Sequence, residues 1–95
     1  MDVNRAIRLA VNTGKTVHGI KETKDSVKKK KAKLIIASTN CPDIDFKKDK
    51  YKNVPVYHFN GNNHDLGSAA GKPFSISVLT VIEPGESTIL SVNED

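Results

Sequence analysis

Apolar residues along this chain recur with two alternating periods, one helical and one extended. Val3, Ile7, Ala10 and Val11 repeat every three to four residues, which predicts a helix from Asp2 to Thr13 with Asp2 as its N-cap. Gly14 then stands where a left-handed C-cap is expected. Thr16-Val17-His18 reads as a short strand, broken by Gly19. A second helix is predicted over Lys21 to Lys30, with Ile20, Thr23 and Val27 facing inward. The continuous apolar run Leu34-Ile35-Ile36-Ala37 predicts a central strand, residues 33–38, covered on both faces. Ser38 to Pro42 ends it and leads into a polar stretch, helical or irregular. Val54 to Phe59 is the next strand, with Pro55 tolerable near its start. Gly61-Asn62-Asn63 reads as a turn, and His64 to Ala70 as a short helix carrying Leu66, Ala69 and Ala70. A last strand is expected over Ile76 to Ile82, closed by Glu83-Pro84-Gly85, with a final helical turn over Ser87 to Val92.

Nine helices and strands therefore alternate along the chain, the order of an α/β domain whose sheet is covered on both sides. Ninety-five residues make one domain, residues 1–95, and ordering its backbone costs roughly 1–2 kcal/mol per residue, so nearly every apolar segment must be buried. No apolar run has the length of a membrane span, and no secretory leader pattern opens the chain. The one cysteine, Cys41, has no intramolecular partner to pair with, which fits a reducing, cytoplasmic setting.

Charge sharpens the picture. Residues 1–53 carry 14 Lys/Arg against 6 Asp/Glu, a net +8, whereas residues 54–95 carry 1 against 5, a net −4. Such polarity suggests one face turned toward phosphate, the ordinary alternative being a solvated lysine-rich surface. A handful of phosphate contacts would give a log–log salt slope of roughly −3 to −6.

The candidates for catalysis are thin. Cys41 follows a strand, where a thiol at a helix start can be activated. The sixth position after it, occupied by arginine in phosphatase loops, is Lys47, and Asp43 and Asp45 would repel an anion. A small buried cysteine is the simpler reading. His18, His58 and His64 lack metal-ligand spacing, and for the strand histidines packing is the default. No phosphate loop, metalloprotease pattern or serine elbow occurs, so no enzyme, metal or cofactor is expected.

Three polar or glycine-containing turns, at 19–22, 38–41 and 71–74, offer a more coherent chemistry. They are expected to present backbone N–H groups at helix starts, together with a cation (Lys21), an amide (Asn40) and an aromatic ring (Phe74). Structured RNA is recognised at loops and bulges, where splayed bases stack or hydrogen-bond. Simple burial is the alternative for Phe74.

Taken together, residues 13–42 (TGKTVHGIKETKDSVKKKKAKLIIASTNCP) resemble the archaeal and eukaryotic large-subunit ribosomal protein family L-thirty-e. VPVYHFNG (54–61), DLGSAAGKPFSIS (65–77) and EPGESTIL (83–90) resemble it in the same order. The resemblance implies a three-layer α/β/α sandwich around a four-stranded mixed sheet that binds a kink-turn, a sharply bent internal loop of rRNA. It implies RNA contacts at Gly19 and Lys21, at Asn40 and at Phe74, with Ile20, Glu22, Cys41, Ala70 and Lys72 as neighbours in the same loops. Gly19 would permit close backbone approach, Lys21 and Asn40 would reach purines or phosphates, and Phe74 would pack on a splayed base. For all three loops to meet one RNA, the strand 76–82 must run antiparallel to the strand 33–38.

In two places the chain departs from the resemblance. Residues 41 to 54 are shorter than the family suggests and rich in lysine and aspartate, so the third helix is expected to be abbreviated or irregular. Lys21-Glu22 stands where other kink-turn proteins carry Asn-Glu, which favours the ribosomal branch. The leading expectation is a constituent of the large ribosomal subunit, cytoplasmic, monomeric when free and without membrane partners. The alternatives are a stand-alone kink-turn protein of an RNA-modifying or processing particle, a thiol enzyme built on Cys41, and a protein-interaction module with a solvated lysine face.

Overall fold

The computed structural model describes residues 2–92; the outermost residues of the expected domain, including the acidic Glu94 and Asp95, lie outside them. Three helices, α1 (Val3–Thr13), α2 (Ile20–Lys28) and α3 (Asn63–Ala69), alternate with five strands. The strands are β1 (Lys15–His18), β2 (Leu34–Ala37), β3 (Lys50–Tyr51), β4 (Val54–His58) and β5 (Val78–Glu83). They form one mixed sheet in the order β1-β5-β2-β4-β3. β2 pairs parallel to β4 and antiparallel to β5, and β5 pairs antiparallel to β1. The expected antiparallel pairing of the last strand with the central one is therefore present.

Alternation along the strands fills two cores. Leu34 and Ile36 of β2 with Leu79 and Val81 of β5 face α1 and α3, joined by Ile7, Leu66, Ile76 and Ile89. Ile35, Ala37 and Val78 face the opposite way, onto Val27 of α2 and onto Phe46. Burial on both faces explains why β2 reads as an unbroken apolar run. One polar pair crosses the second core: Thr80 of β5 donates its hydroxyl to Thr23 Oγ1 of α2 at 2.7 Å, both side chains wholly buried. That link fixes how α2 sits on the sheet.

Local chemistry sets the element ends. Asp2 Oδ1 accepts the Arg5 N–H at 3.2 Å and caps α1. Asn62 and Asp65 cap α3 reciprocally, each carboxamide or carboxylate oxygen accepting the other's backbone N–H at 3.0 Å. Asn62, read as part of a turn before α3, is thus the helix N-cap. α2 ends two residues earlier than predicted, in a Schellman turn. Lys30 N–H donates to Val27 O and Lys31 N–H to Ser26 O, with Lys30 in the left-handed conformation (φ 60°).

Two expectations need correction. Gly14 is not left-handed: its backbone is extended (φ −113°), and glycine is required instead by proximity. A β-carbon there would lie 2.0 Å from the Glu83 carbonyl oxygen, because the turn leaving β5 packs on the end of α1. The sheet also has five strands, not four. Between Cys41 and Val54 the chain forms a 3-10 turn, Ile44–Lys47, and a two-residue strand that pairs antiparallel with β4. Lys52 and Asn53, both at positive φ, make the tight turn between them, without the Asn-Gly or Asp-Gly pair that normally signals a hairpin. Where an abbreviated or irregular helix is expected between Cys41 and Val54, the 3-10 turn is the one helical element.

Candidate nucleic-acid interface

Because β1, β2 and β4 run one way and β5 the other, three strand ends and one strand start share a single edge of the sheet. Four connections meet there: residues 18–22, 38–40, 59–63 and 70–77. Backbone hydrogen bonds hold them in register. Gly19 N–H donates to Val78 O and Ser38 N–H to Ser77 O, each at 2.9 Å, while Thr39 N–H donates to Gly61 O at 2.8 Å.

The start of α2 is built around Gly19. Its φ of 101° and ψ of 153° lie in a region that only glycine occupies readily, and a β-carbon there would lie 2.7 Å from Glu22 Oε2. No side chain caps this helix, so the N–H groups of its first turn remain available to an outside acceptor, with the positive end of the helix dipole behind them. Lys21 and Glu22 are both exposed beside it, and Ile20 packs inward on the second core.

Asn40 is held by Asn63. The Asn63 backbone N–H lies 2.8 Å from Asn40 Oδ1, and since an N–H can only donate, that contact fixes which amide atom is oxygen. Oδ1 also accepts from Ser38 Oγ at 3.0 Å, and Nδ2 donates to Asn63 Oδ1 at 2.9 Å. An amide nitrogen carries two hydrogens, so one remains for an outside acceptor from a side chain that is already oriented.

The loop before β5 supplies the aromatic surface. Gly67 lets this loop lie directly on α3: a β-carbon there would lie 2.1 Å from the Phe74 carbonyl oxygen. Phe74 is 47% exposed, and its ring centroid lies 5.1 Å from that of His18, tilted by 43°. Ser75 Oγ and His64 Nδ1 are hydrogen-bonded at 2.9 Å beside it. Lys72 is exposed in the same loop, and the Arg8 guanidinium supports its base by donating to Ser68 O at 2.9 Å.

A model of the Ribosomal protein L7Ae/L30e/S12e/Gadd45 family matches residues 1–91 of this chain. The chain belongs to this family. It is 42% identical to the "Large ribosomal subunit protein eL30" of Methanothermobacter thermautotrophicus, covering 97% of this chain and 98% of that one. It is 43% identical to the protein of the same name from Methanococcus maripaludis, over 100% and 93% of the two chains, and 38% to that of Methanoregula boonei, over 97% and 96%.

In this member of the L7Ae/L30e/S12e/Gadd45 family, Gly19, Lys21, Glu22, Asn40, Lys72 and Phe74 come from separate loops onto one edge. Cys41 and Ala70, which stand beside these loops in the chain, are buried, 4% and 2% exposed. The Cys41 thiol packs in the core between α2 and the sheet, and Asp43 and Asp45 are engaged with Lys24 at 2.8 and 3.3 Å. The Lys24 ammonium lowers the Asp43 carboxyl pKa below its ordinary value, and Asp43 raises that of Lys24.

Two readings change. His18 and His58 are exposed rather than packed, and His18 becomes the neighbour of Phe74. Of the three turns, the first alone opens an α-helix; residues 71–74 follow the end of one. Asn63 and Gly67 escaped notice as site-building residues. A glycine inside a predicted helix marks a close approach and pointed to Gly67, whereas the Asn63–Asn40 pair, 23 residues apart, left no local signal.

Proposed function

We propose that this chain is a structural constituent of the large ribosomal subunit, acting in the cytoplasm as part of the ribosome, and that its loop edge clamps a kink-turn of rRNA. Family membership and full-length similarity to proteins named for the large subunit support the ribosomal role. The observation that carries the RNA reading is the convergence of an uncapped helix start, an oriented amide and an exposed ring at one edge. An acceptor on a splayed base would meet Asn40 and the first-turn N–H groups, a phosphate would meet Lys21 or Lys72, and the base face would stack on Phe74. Nothing in this reading requires bond chemistry, and the free protein acts as a monomer.

Titration with a kink-turn RNA and with a straight duplex of equal length tests the reading. Preference for the kink-turn by tenfold or more is expected. Equal affinities would reduce the edge to a non-specific cationic surface, and no binding to either would end the RNA reading. Sedimentation with large subunits, rather than with smaller RNA-modifying particles, separates the ribosomal role from that of a stand-alone kink-turn protein.

A further inference from the structure

The densest run of cations is not at the loop edge. Lys28, Lys29, Lys30 and Lys31 occupy the Schellman turn that ends α2, and Lys33 directly precedes β2. All five are exposed. Lys29 is paired with Asp25 at 3.1 Å; among the described residues the other four have no acidic partner. Lys52, in the turn between β3 and β4, lines a groove along α2 with Lys28, and that groove continues past Asp25 to Lys21 at the other end of the helix. Lys15 and Glu83 face one another across the β1–β5 ladder at this end and leave its balance unchanged.

This cluster stands across the sheet from the candidate interface. Lys33 and Ser38 flank the central strand, so they are about 16 Å apart at roughly 3.3 Å per residue. α2 covers the same ground, with Gly19 at one end and Lys28 about 13 Å away at the other. The domain extends only 26 × 25 × 24 Å, and the cluster occupies the opposite end of it from Phe74 and Asn40. A further detail separates the cluster from ordinary helix-end lysines. Lys30 occupies a left-handed position where glycine would be favoured by about 1 kcal/mol, so a cation stands where backbone preference argues for none.

We propose that this far end is a second RNA-binding surface, which grips the phosphates of a duplex segment separate from the one at the loop edge. The protein would then join two RNA segments. The idea rests on the RNA reading above for its choice of partner. The segment 28–33 has no large apolar side chain, whereas protein interfaces are built on aromatic and apolar centres and are poor in lysine. Unpaired, flexible ammonium groups at close spacing suit a repeating phosphate backbone and its release of counterions.

The test loads the protein with a saturating short kink-turn RNA and then titrates in a labelled straight RNA duplex. The loaded wild type is expected to bind the duplex, with an affinity that falls steeply with salt. Changing Lys28, Lys30, Lys31 and Lys33 together to glutamine should weaken duplex binding tenfold or more and leave kink-turn affinity within about twofold. The same four positions as arginine should restore it, which separates charge from folding. Competition between the two RNAs, or equal losses for both in the glutamine variant, would overturn the proposal by making the surfaces one. Tight binding of poly-glutamate with no binding of duplex would overturn it in favour of an acidic protein partner. If the kink-turn itself does not bind, the primary reading fails alone, and duplex titration of the free protein still decides the cluster.

Discussion

Phe74 shows what one exposed residue can carry. Stacking of a base on an aromatic ring is worth roughly 1–3 kcal/mol, so Phe74→Ala should weaken kink-turn binding about tenfold to a hundredfold. Its ring is half in solvent and touches His18, so the loss should come with little change in melting temperature. Normal binding by a folded Phe74→Leu would show that apolar bulk, not stacking, is what the position supplies. The buried Thr80–Thr23 pair makes the complementary case for stability. Thr80→Val removes the donor but leaves the Thr23 hydroxyl in an apolar setting, at a cost of about 1–3 kcal/mol. Thr23→Val with Thr80→Val removes both partners and should be close to neutral. Chemical denaturation of the two single variants and the double variant measures the difference, and additive losses would show that the hydrogen bond is not coupled.

Among the elements, α2 is the one whose two ends do different work. Its start is left uncapped at the interface, and its end is closed by a lysine in a glycine conformation. Lys30→Gly should stabilise the fold by about 0.5–1 kcal/mol, seen as a higher denaturation midpoint with an unchanged slope. A destabilised variant would mean that the Lys30 side chain contributes contacts beyond its backbone. The 3-10 turn Ile44–Lys47 is tied to the middle of α2 by Lys24 and Asp43. Because the folded Asp43 pKa is lowered by Lys24, the pair stabilises the protein above the ordinary aspartate range. That contribution is lost as pH falls through the depressed folded value, below about pH 4. The melting temperature should decline there, and Asp43→Asn should blunt the decline. The effect is small for a pair that is only partly buried, and an identical acid profile in the variant would assign acid sensitivity to other carboxylates.

For the whole molecule, the relevant fact is where the charge lies. The excess of cations in residues 1–53 suggested one phosphate-facing surface and a steep salt dependence. In three dimensions only a few of those charges reach the loop edge, Lys21 foremost, joined there by Lys72 from the other half of the chain. A short kink-turn should therefore bind with a log–log salt slope of about −2 to −3, at or below the low end of that expectation. Lys21→Ala should reduce the slope by close to one, and Phe74→Ala should leave it unchanged. A slope steeper than about −4 with a minimal kink-turn would mean that the lysines ending α2 do wrap onto the same RNA.

The sequence by itself determined the α/β order, the doubly buried strand Leu34–Ala37 and the helix faces, because these follow from local periodicity, which is written residue by residue. It also marked Gly19, Lys21, Asn40 and Phe74, through their residue types in short turns and through a family resemblance. It did not reveal the strand Lys50–Tyr51, whose turn uses Lys52-Asn53 in a conformation that stronger turn formers usually occupy. It gave the right residue at Gly14 for the wrong reason, since the need for glycine comes from Glu83, 69 positions away. Only the tertiary structure decided that Asn63 orients Asn40, that His18 lies beside Phe74, and that the lysine run lies at the opposite end of α2 from both. Each of these depends on which strand ends the sheet brings to one edge, and that is set by packing between segments far apart in the chain.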